Sequence, residues 1–400
     1  MRLIPADDAR ARMLAQARPL GGERVPIGEA AGRILAEPIA ALRDQPPFDA
    51  SAMDGWAVRR ADALNEPATL RIVGESAAGA GYGFALKPGE AVRIFTGAPA
   101  PEGADLVVMQ EDAVRELDGV RVGPLASARD HIRPRGGDFR AGSPLLEAGR
   151  RLDPWALSLA AAAGTGAPPV ARRPRVAILA TGEELVAPGQ SAGPHQIYES
   201  GSYAVAALAA QAGAEAFRLQ AAGDSEASIA AAVSEAHCDI LVTIGGASVG
   251  DYDLVKPALA RLGLQLQVES VNLRPGKPTW FGPLADGRLV LGLPGNPASA
   301  MVCAELFLKP LILALQGADP TPPFVPARLA SAIPAEGKRE HYQRARSWPS
   351  PDGLMVEPLG DQDSSLVTVF ARADCLLRRP SEAPAARTGD IVEVLPLARA

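Results

Sequence analysis

Strands and helices alternate over residues 175–317, and this pattern constrains the fold more than any other feature of the chain. Short runs of Val, Ile and Leu are separated by segments whose apolar residues recur at helical spacing. Such alternation indicates a parallel, doubly wound sheet covered by helices. The predicted elements are, in order, strand RVAILAT, helix SYAVAALAAQAG, strand EAFRLQAA, helix SEASIAAAVSEA, strand DILVTIGG, helix DLVKPALARLG, strands LQLQVESV and RLVLGLPG, and helix PASAMVCAELFLKPLILAL.

The sequence on either side predicts further domains, so the fold class is a multidomain α/β plus β protein. Short strands with turns follow one another before the alternating segment and again after it, which favours β domains. A helix over 1–20 and a second one beginning at Asp153 and Pro154 belong to a region between them. The predicted domains are a linker domain with helices (1–45 and 141–174), a mainly β domain (46–140), the central doubly wound parallel α/β domain (175–317) and a small, β-barrel-like C-terminal domain (318–400).

Charge and cysteine content exclude several functional classes. The net charge of −6 argues against a general binder of nucleic acid or of anionic membranes, so an anionic ligand needs a local positive site. The three cysteines form no C-x-x-C pair and give no zinc framework. We see no signal peptide, and the apolar run near residues 300–315 is interrupted by Lys309 and Pro310. A soluble, cytoplasmic protein is expected.

Polar residues follow consecutive strands of the predicted sheet. TGEEL, with Thr181 and Glu184, ends the first strand, although the same residues also suit a capped helix start. Asp224 follows the second strand. The third runs into GGASVGDYD, where exposed backbone N–H groups of a Gly/Ser loop form a nest for phosphate and the following acids suit Mg²⁺. These residues are Gly245, Gly246, Ser248, Asp251 and Asp253.

Cations and a helix start follow the later strands. NLRPGKP places Arg274 and Lys277 on a stiff loop, and both side chains suit oxyanions. GLPGNPASA turns at Asn296 into a helix whose free N–H groups favour an anion. Ligands of doubly wound sheets bind outside the carboxyl ends of the strands, so these groups predict one oxyanion site with a divalent metal. It is no P-loop, because G-x-x-x-x-G-K-[ST] is absent, and GAGYGF is a flexible loop rather than a dinucleotide motif.

The segment PPFDASAMDGWAV carries Asp49 and Asp54 among small residues, ahead of Trp56. Asp-Gly is good turn chemistry, which is one interpretation of Asp54. The other is a carboxylate presented to a ligand. The residues alone leave both open.

Seven motifs in order resemble one family over about the whole chain. They are SAMDGWAV, RIFTGAPAPEGADLVVMQED, RPRGGDF, LATGEEL, GGASVGDYD, RPGKP and GLPGNPASA. They look like the molybdopterin molybdenumtransferases, the MoeA and gephyrin E-domain family of molybdenum-cofactor biosynthesis. The resemblance implies a transferase that inserts molybdenum from molybdate into adenylylated molybdopterin, releases AMP and uses Mg²⁺. It also implies a homodimer whose cleft lies between the molybdopterin-binding α/β domain of one subunit and the β domain of the other.

The resemblance also implies roles for individual residues. Arg344 and Ser365 match C-terminal positions with weaker motif support. The implied catalytic residues are Asp54, Thr96, Asp138, Glu184 and Asp224; the implied metal ligands are Glu184, Asp251 and Asp253; the implied substrate-binding residues are Thr181, Gly245, Gly246, Ser248, Arg274, Pro275, Gly276, Lys277, Pro294, Asn296, Ser299, Arg344 and Ser365. The chain departs from the common pattern at Trp56, Gly137, Gly201, Ala247 and Ser270.

Two other functions remain open at this stage. The α/β domain is shared with the molybdopterin adenylyltransferase, so adenylyl transfer is one alternative, and that enzyme is also a candidate protein partner. A pterin-binding scaffold without catalysis is the second. We expect no nucleic-acid or membrane partner.

Overall fold

The structure, a computed structural model, describes residues 3–63, 66–124, 129–219, 225–245 and 254–397. Its first half contains one helix at the N-terminus, a small mixed region and a six-stranded sheet. The elements are α1 (Ala6–Leu14), β1 (Gly22–Arg24), β2 (Ile39–Ala40), β3 (Ala50–Ser51), β4 (Gly55–Val58), β5 (Ala68–Ser76), β6 (Glu90–Ile94), β7 (Leu106–Met109), β8 (Ala113–Arg115), β9 (Gly119–Val122), β10 (Ile132–Arg133), β11 (Pro144–Leu146), α2 (Pro154–Ala162) and β12 (Pro169–Ala171).

The second half contains the predicted strand–helix alternation followed by short strands. The elements are β13 (Arg175–Ala180), β14 (Leu185–Val186), β15 (Ile197–Tyr198), α3 (Gly201–Gln211), β16 (Glu215–Arg218), α4 (Glu226–Glu235), β17 (Ile240–Ile244), α5 (Val255–Ala260), β18 (Leu273–Arg274), β19 (Trp280–Pro283), β20 (Leu289–Leu293), α6 (Pro297–Cys303), a π-helical segment (Ala304–Leu308), α7 (Lys309–Leu315), β21 (Val325–Leu329), β22 (Glu340–Ser350), β23 (Gly353–Pro358), α8 (Val367–Arg372), β24 (Cys375–Arg379) and β25 (Ile391–Pro396).

The predicted doubly wound sheet is confirmed. Its strand order is β16-β13-β17-β20-β19, and the first four strands are parallel. Every residue of β17 and β20 is buried, as expected for strands covered on both faces. Alternate residues of β13 enter different cores: Val176 and Ile178 pack in one cluster, Ala177 and Leu179 in the other.

The fifth strand of this sheet corrects the sequence prediction. LQLQVESV, residues 264–271, is not a strand: it makes only isolated bridges from Val268 and Val271. The edge is instead β19, which pairs antiparallel with β20. A short turn at 284–288 brings β19 and β20 together, so this local pairing forms the edge of the sheet instead of residues 264–271. The Gly and Pro in WFGP conceal β19 from a pattern search.

The N-terminal helix, α1, is shorter than predicted, and it packs against the α/β domain rather than within the linker region. Ala6, Ala9 and Met13 lie on one face and enter the large core of the α/β domain. The core of the linker region is formed without them, by residues of 30–39 and 146–170. The spacing of small apolar residues fixes which face is buried but not which domain receives it. The predicted domain bounds stay predictions.

The small C-terminal barrel is confirmed. Strands β22, β23, β21, β25 and β24 follow one another, and a pairing of β22 with β24 closes the ring. Strand β18 of the α/β region adds to β22 in parallel, with Leu273 opposite Glu340 and Arg274 opposite His341. The loop that follows β18 is thereby fixed against the barrel.

The helical run 297–315 is long and apolar enough to cross a bilayer, but 78% of it is buried inside the molecule. It contributes Val302, Leu306 and Leu311 to the core of the α/β domain. In this fold the run is therefore a buried core helix.

Candidate active site

A cavity of about 930 Å³ lies at the carboxyl edge of the α/β sheet. The sheet edge and the loop after β18 form one side of it, and the barrel forms the other. Eight of the predicted substrate-binding residues line it: Gly245, Arg274, Pro275, Gly276, Lys277, Pro294, Asn296 and Ser299. The structure thus brings together residues that the sequence spreads over more than fifty positions.

Three strand ends meet at this edge. The Thr181 N–H donates to the Ile244 carbonyl at 3.0 Å, and the Gly245 N–H donates to the Leu293 carbonyl at 3.3 Å. Gly245 has φ +90°, and a Cβ there would lie 2.6 Å from the Thr181 carbonyl oxygen. Only glycine fits between β13 and β17 at this point. Thr181 borders the edge but does not itself line the cavity.

The RPGKP loop is held from beneath by close packing. Gly276 has φ +123°, and a Cβ there would lie 2.4 Å from Cys303 Sγ. The Thr279 hydroxyl donates to the Gly276 carbonyl at 2.8 Å. Burial raises the pKa of the Cys303 thiol to about 12, so this cysteine is packing material rather than a nucleophile. The loop therefore presents its cations from a rigid support.

Arg274 and Lys277 are the exposed residues of that loop. Neither side chain has a hydrogen-bond or ion-pair partner among the residues that the structure describes. Cations that line a cavity and lack internal partners are available to an anionic ligand. This is the clearest chemical signal of the site.

Asn296 connects the sheet edge to the barrel. It precedes Pro297, the first residue of α6, as the sequence predicts. Its side chain does not cap the helix; instead Asn296 Nδ2 donates to Ser364 Oγ at 2.8 Å. Ser364 also lines the cavity, so this bond ties the barrel loop to the sheet edge.

Arg344 and Ser365 hold that barrel loop and do not line the cavity. Arg344 is fully buried, and its Nη2 donates to the Asp363 carbonyl at 2.9 Å. Its Nε and Nη1 have no partner within the described part of the chain. Burial lowers the pKa of Arg344, and the charge of Arg274 adds to this. The Ser365 hydroxyl donates to Asp363 Oδ1 at 2.6 Å.

Asp54 lies in the mainly β domain predicted over residues 46–140, which is called the β region from here on. Its carboxylate is hydrogen-bonded by a residue distant in sequence rather than by its own turn. Its Oδ1 accepts the Thr96 N–H at 2.7 Å and the Thr96 hydroxyl at 2.8 Å. These bonds, with a weaker contribution from Arg93, lower the pKa of the Asp54 carboxyl. The residue is exposed, so it remains an ionised, accessible carboxylate. Trp56 beside it is buried, and the Arg93 guanidinium lies 5.3 Å from its ring centre.

The β region and the cavity are separate sets of residues in this chain. Asp138 is exposed, and its N–H donates to the Gln45 carbonyl at 2.9 Å. None of Asp54, Thr96 and Asp138 lines the cavity. A single active site that used the β-region residues and the cavity residues would have to include groups that do not line this chain's cavity.

Some of the predicted residues lie outside the described part of the structure. Glu184 is described; it is exposed, and its carbonyl accepts the Ile197 N–H at 2.8 Å. Within the described residues, no three His, Cys, Asp or Glu side chains gather into a metal site. The residues outside are Asp224, Gly246, Ser248, Asp251 and Asp253.

The cavity also contains residues that the sequence analysis missed. Lys256 lies in a chain with only five lysines, a signal that was available but pointed only to Lys277. The others lie in segments without a motif, and folding alone brings them to the cavity. The missed lining residues are Lys256, Glu269, Arg339, Gln362, Asp363 and Ser364.

Three protein families match this chain in sequence. Residues 4–164 match the "MoeA N-terminal region (domain I and II)", residues 177–314 the "Probable molybdopterin binding domain", and residues 326–397 the "MoeA C-terminal region (domain IV)". Together these matches cover most of the chain.

Relatives and solved structures agree with them. The chain is 35% identical over 401 residues to the molybdopterin molybdenumtransferase of Haemophilus influenzae, covering 98% of each protein. It is 41% identical over 330 residues to that of Nostoc sp., covering 80% of this chain and 76% of the relative. A crystal structure of the molybdopterin biosynthesis MoeA protein from Pyrococcus horikosii superposes with a TM-score of 0.84 at 31% identity, covering 99% of both chains.

Proposed function

The chain belongs to the MoeA family of molybdopterin molybdenumtransferases, and from that premise we propose that it inserts molybdenum from molybdate into adenylylated molybdopterin and releases AMP. The product is the molybdenum cofactor. The observation that carries the proposal is the pair of cations Arg274 and Lys277, which line the cavity and have no hydrogen-bond or ion-pair partner among the described residues. A cavity of about 930 Å³ also falls within the size expected for a small-molecule site.

The cavity's own residues suit two anionic substrates. Arg274 offers a planar fork for an oxyanion and Lys277 a point charge. The backbone of their loop is fixed around Gly276, so binding an anion needs to order only the two side chains. Molybdate and the pyrophosphate of the adenylylated pterin are the ligands that this lining favours.

The acids supply the complementary chemistry. Joining molybdate to a dithiolene removes oxo groups as water, which requires protons to reach those oxygens. Asp54, Asp138 and Asp224 are proposed to relay them, with Thr96 orienting Asp54 through its two hydrogen bonds. The lowered pKa of Asp54 means that its carboxyl is ionised near neutral pH and readily releases any proton that it takes up.

Mg²⁺ is the proposed metal, which makes this a magnesium- and molybdenum-binding protein. Glu184, Asp251 and Asp253 would hold it, and carboxylate oxygens are the donors that this ion prefers. Bound there, it would neutralise pyrophosphate charge. Of these three, only Glu184 lies in the described residues, so the support comes from donor chemistry and family membership.

A homodimer with a shared cleft is the second part of the proposal. Asp54 and Thr96 do not line the cavity of their own chain, which a partner's β region would explain. The linker region also exposes large apolar side chains: Trp155 is 82% exposed and Leu42 72%. We propose that these side chains are covered at the dimer interface.

Mixing two inactive variants tests both parts together. Asp54→Ala removes the β-region carboxylate, and Glu184→Ala removes one at the sheet edge. If one cleft uses residues of two subunits, each mixed dimer regains one intact site. Statistical mixing then restores about a quarter of wild-type molybdenum insertion.

Two results would contradict this proposal. Normal insertion by both single variants would refute the assigned chemistry. Inactive variants that stay inactive after unfolding and refolding together would refute the shared cleft, and a monomer in analytical ultracentrifugation would do the same.

The alternative functions are less well supported. Adenylyl transfer is not favoured, because all three MoeA regions match and the full-length relatives are molybdenumtransferases. Incubation with ATP and metal-free molybdopterin would reveal it by formation of the AMP adduct. A scaffold would bind the pterin without releasing AMP. An adenylyltransferase partner that passes on the substrate, and a cytoplasmic location, remain proposals consistent with this role.

A further inference from the structure

Arg339 lines the cavity from the barrel side and has no part in the site described above. It directly precedes β22, whose first residue, Glu340, donates its N–H to the Asn272 carbonyl at 3.2 Å. Asn272 leads into β18 and Arg274. The backbone at Arg339 is therefore tied to the strand that carries the best-placed cation of the opposite wall.

The Arg339 guanidinium has no internal use. Its residue is half-buried, yet within the described residues the guanidinium makes no hydrogen bond or ion pair. Arg344, Arg378 and Arg379 of the same barrel all donate to protein oxygens. A cation removed from part of its water without an acceptor is unfavourable in the free protein. Binding an anion would relieve that cost.

The charge of the cavity favours such an anion. Its described lining includes four cations, Lys256, Arg274, Lys277 and Arg339, and two acids, Glu269 and Asp363. One oxygen of the Asp363 carboxylate, Oδ1, already accepts the hydroxyl and the N–H of Ser365.

The positive charge of Arg274 also acts on neighbouring ionisable groups. The charge of Arg274 contributes to lowering the pKa of His341 and of Arg344, after burial in each case.

We propose that Arg339 is a substrate-binding residue: it grips a tetrahedral oxyanion from the barrel side while Arg274 and Lys277 hold it from the sheet side. This inference rests on the proposed function, because it assigns a further contact within the same cavity. The ligand class is a tetrahedral oxyanion, which the reaction offers as molybdate and as the phosphate of the adenylyl group. Arg339 thus couples anion binding to the placement of the barrel.

The chain provides a matched control beside it. Lys338 carries the same charge one residue earlier, is exposed and does not line the cavity. Full-length wild type, Arg339→Gln, Arg339→Lys and Lys338→Gln are each titrated by calorimetry with sodium molybdate and, separately, with AMP. Arg339→Gln should weaken at least one probe by about tenfold or more, since a charge-assisted hydrogen bond is lost. Lys338→Gln should change both by less than about twofold.

The pattern of loss identifies the anion. Weaker molybdate binding alone assigns Arg339 to the metal oxyanion, and weaker AMP binding alone assigns it to the adenylyl phosphate; either supports the proposal. Unchanged affinity for both probes in Arg339→Gln would overturn it, as would equal losses in Lys338→Gln or no binding of either probe to wild type.

Folding and function are separated by two further readouts. If Arg339→Gln melts at a much lower temperature, the anion affinity of Arg339→Lys is the decisive measurement. A several-fold weaker affinity supports an anion contact made by the guanidinium fork, and wild-type affinity refutes that contact. Wild-type protein that binds these anions but inserts no molybdenum would refute the proposed function and leave the Arg339 contact standing.

Discussion

The cavity at the sheet edge and the Asp54 region of the β sheet both carry predicted site residues, yet they are built in opposite ways. At the cavity, Arg274 and Lys277 have no partner among the described residues and stand on a loop that packing holds rigid. In the β region, an exposed carboxylate is already satisfied by Thr96, 42 residues away. One region has charge to offer an anion, and the other has an acceptor held in one orientation.

This difference indicates how the two regions divide the chemistry. We propose that the cations of the cavity bind molybdate or phosphate; the described lining also includes two carboxylates, Glu269 and Asp363. In the β region, Thr96 holds the exposed Asp54 carboxylate in one orientation, and we propose that this group passes protons on. Binding is therefore expected to depend on the first region and turnover on the second, which gives four tests.

The largest effect is expected from Asp54→Ala. Loss of the oriented carboxylate should lower kcat for molybdenum insertion by about 100-fold or more, while molybdate affinity stays near wild type. Asp62→Ala is the control, because Asp62 is an acid of the same region that only caps the Gly89 N–H. A large fall in molybdate affinity in Asp54→Ala would remove the proposed division between the two regions.

Gly276→Ala should show how strongly the cavity wall depends on packing. The added Cβ would meet Cys303 Sγ at 2.4 Å in a backbone with φ +123°, so we expect a loss of about 3 kcal/mol in the free energy of unfolding in urea. Gly97→Ala, next to Thr96, has φ +81° but open space around it and should cost only about 1–2 kcal/mol. Equal losses would mean that Gly276 contributes conformation alone.

Ser364→Ala removes the bond between Asn296 and the barrel loop. Because the pair is exposed to solvent, the loss should be about 1 kcal/mol, seen as a several-fold rise in KM with little change in kcat. Ser350→Ala, in a hairpin of the same barrel, breaks a similar bond away from the cavity and should leave KM unchanged. A fall in kcat without a change in KM would place Ser364 in the chemical step instead.

The smallest effect concerns the pKa of Asp54. Thr96→Val deletes one of its two donors, so the pKa of Asp54 should rise toward the ordinary value for aspartate, as measured by carboxyl NMR titration. In wild type the folded-state pKa is depressed, so this group's stabilisation is present above the unfolded pKa and is lost as pH falls through the folded one. In Thr96→Val the folded-state pKa of Asp54 should lie closer to its unfolded-state pKa, so the pH range over which this stabilisation is lost should be narrower. A pKa that stays in place would show that the Thr96 N–H alone sets it.

Much of the α/β architecture could be predicted, because buried strands and amphipathic helices leave distinct periodicities. β17 and β20 are continuous apolar runs, and α6 begins at the Pro297 that the sequence indicated. β19 could not be predicted, since its Gly and Pro hide a strand whose partner lies a few residues ahead. The docking of α1 was equally hidden, since its apolar face suits more than one core.

The sequence by itself determined the motif chemistry: which loops carry glycine, which carry cations, and that consecutive strand ends share one edge. Local spacing encodes these properties, since each depends on residues within about ten positions. Only the tertiary structure decided that Arg339 and Ser364 join that edge, because barrel closure and the pairing of β18 with β22 bring distant segments together. It likewise decided that Asp54 bonds Thr96 and lies outside its own chain's cavity, since such long-range contacts arise from packing and leave no periodic trace in the chain.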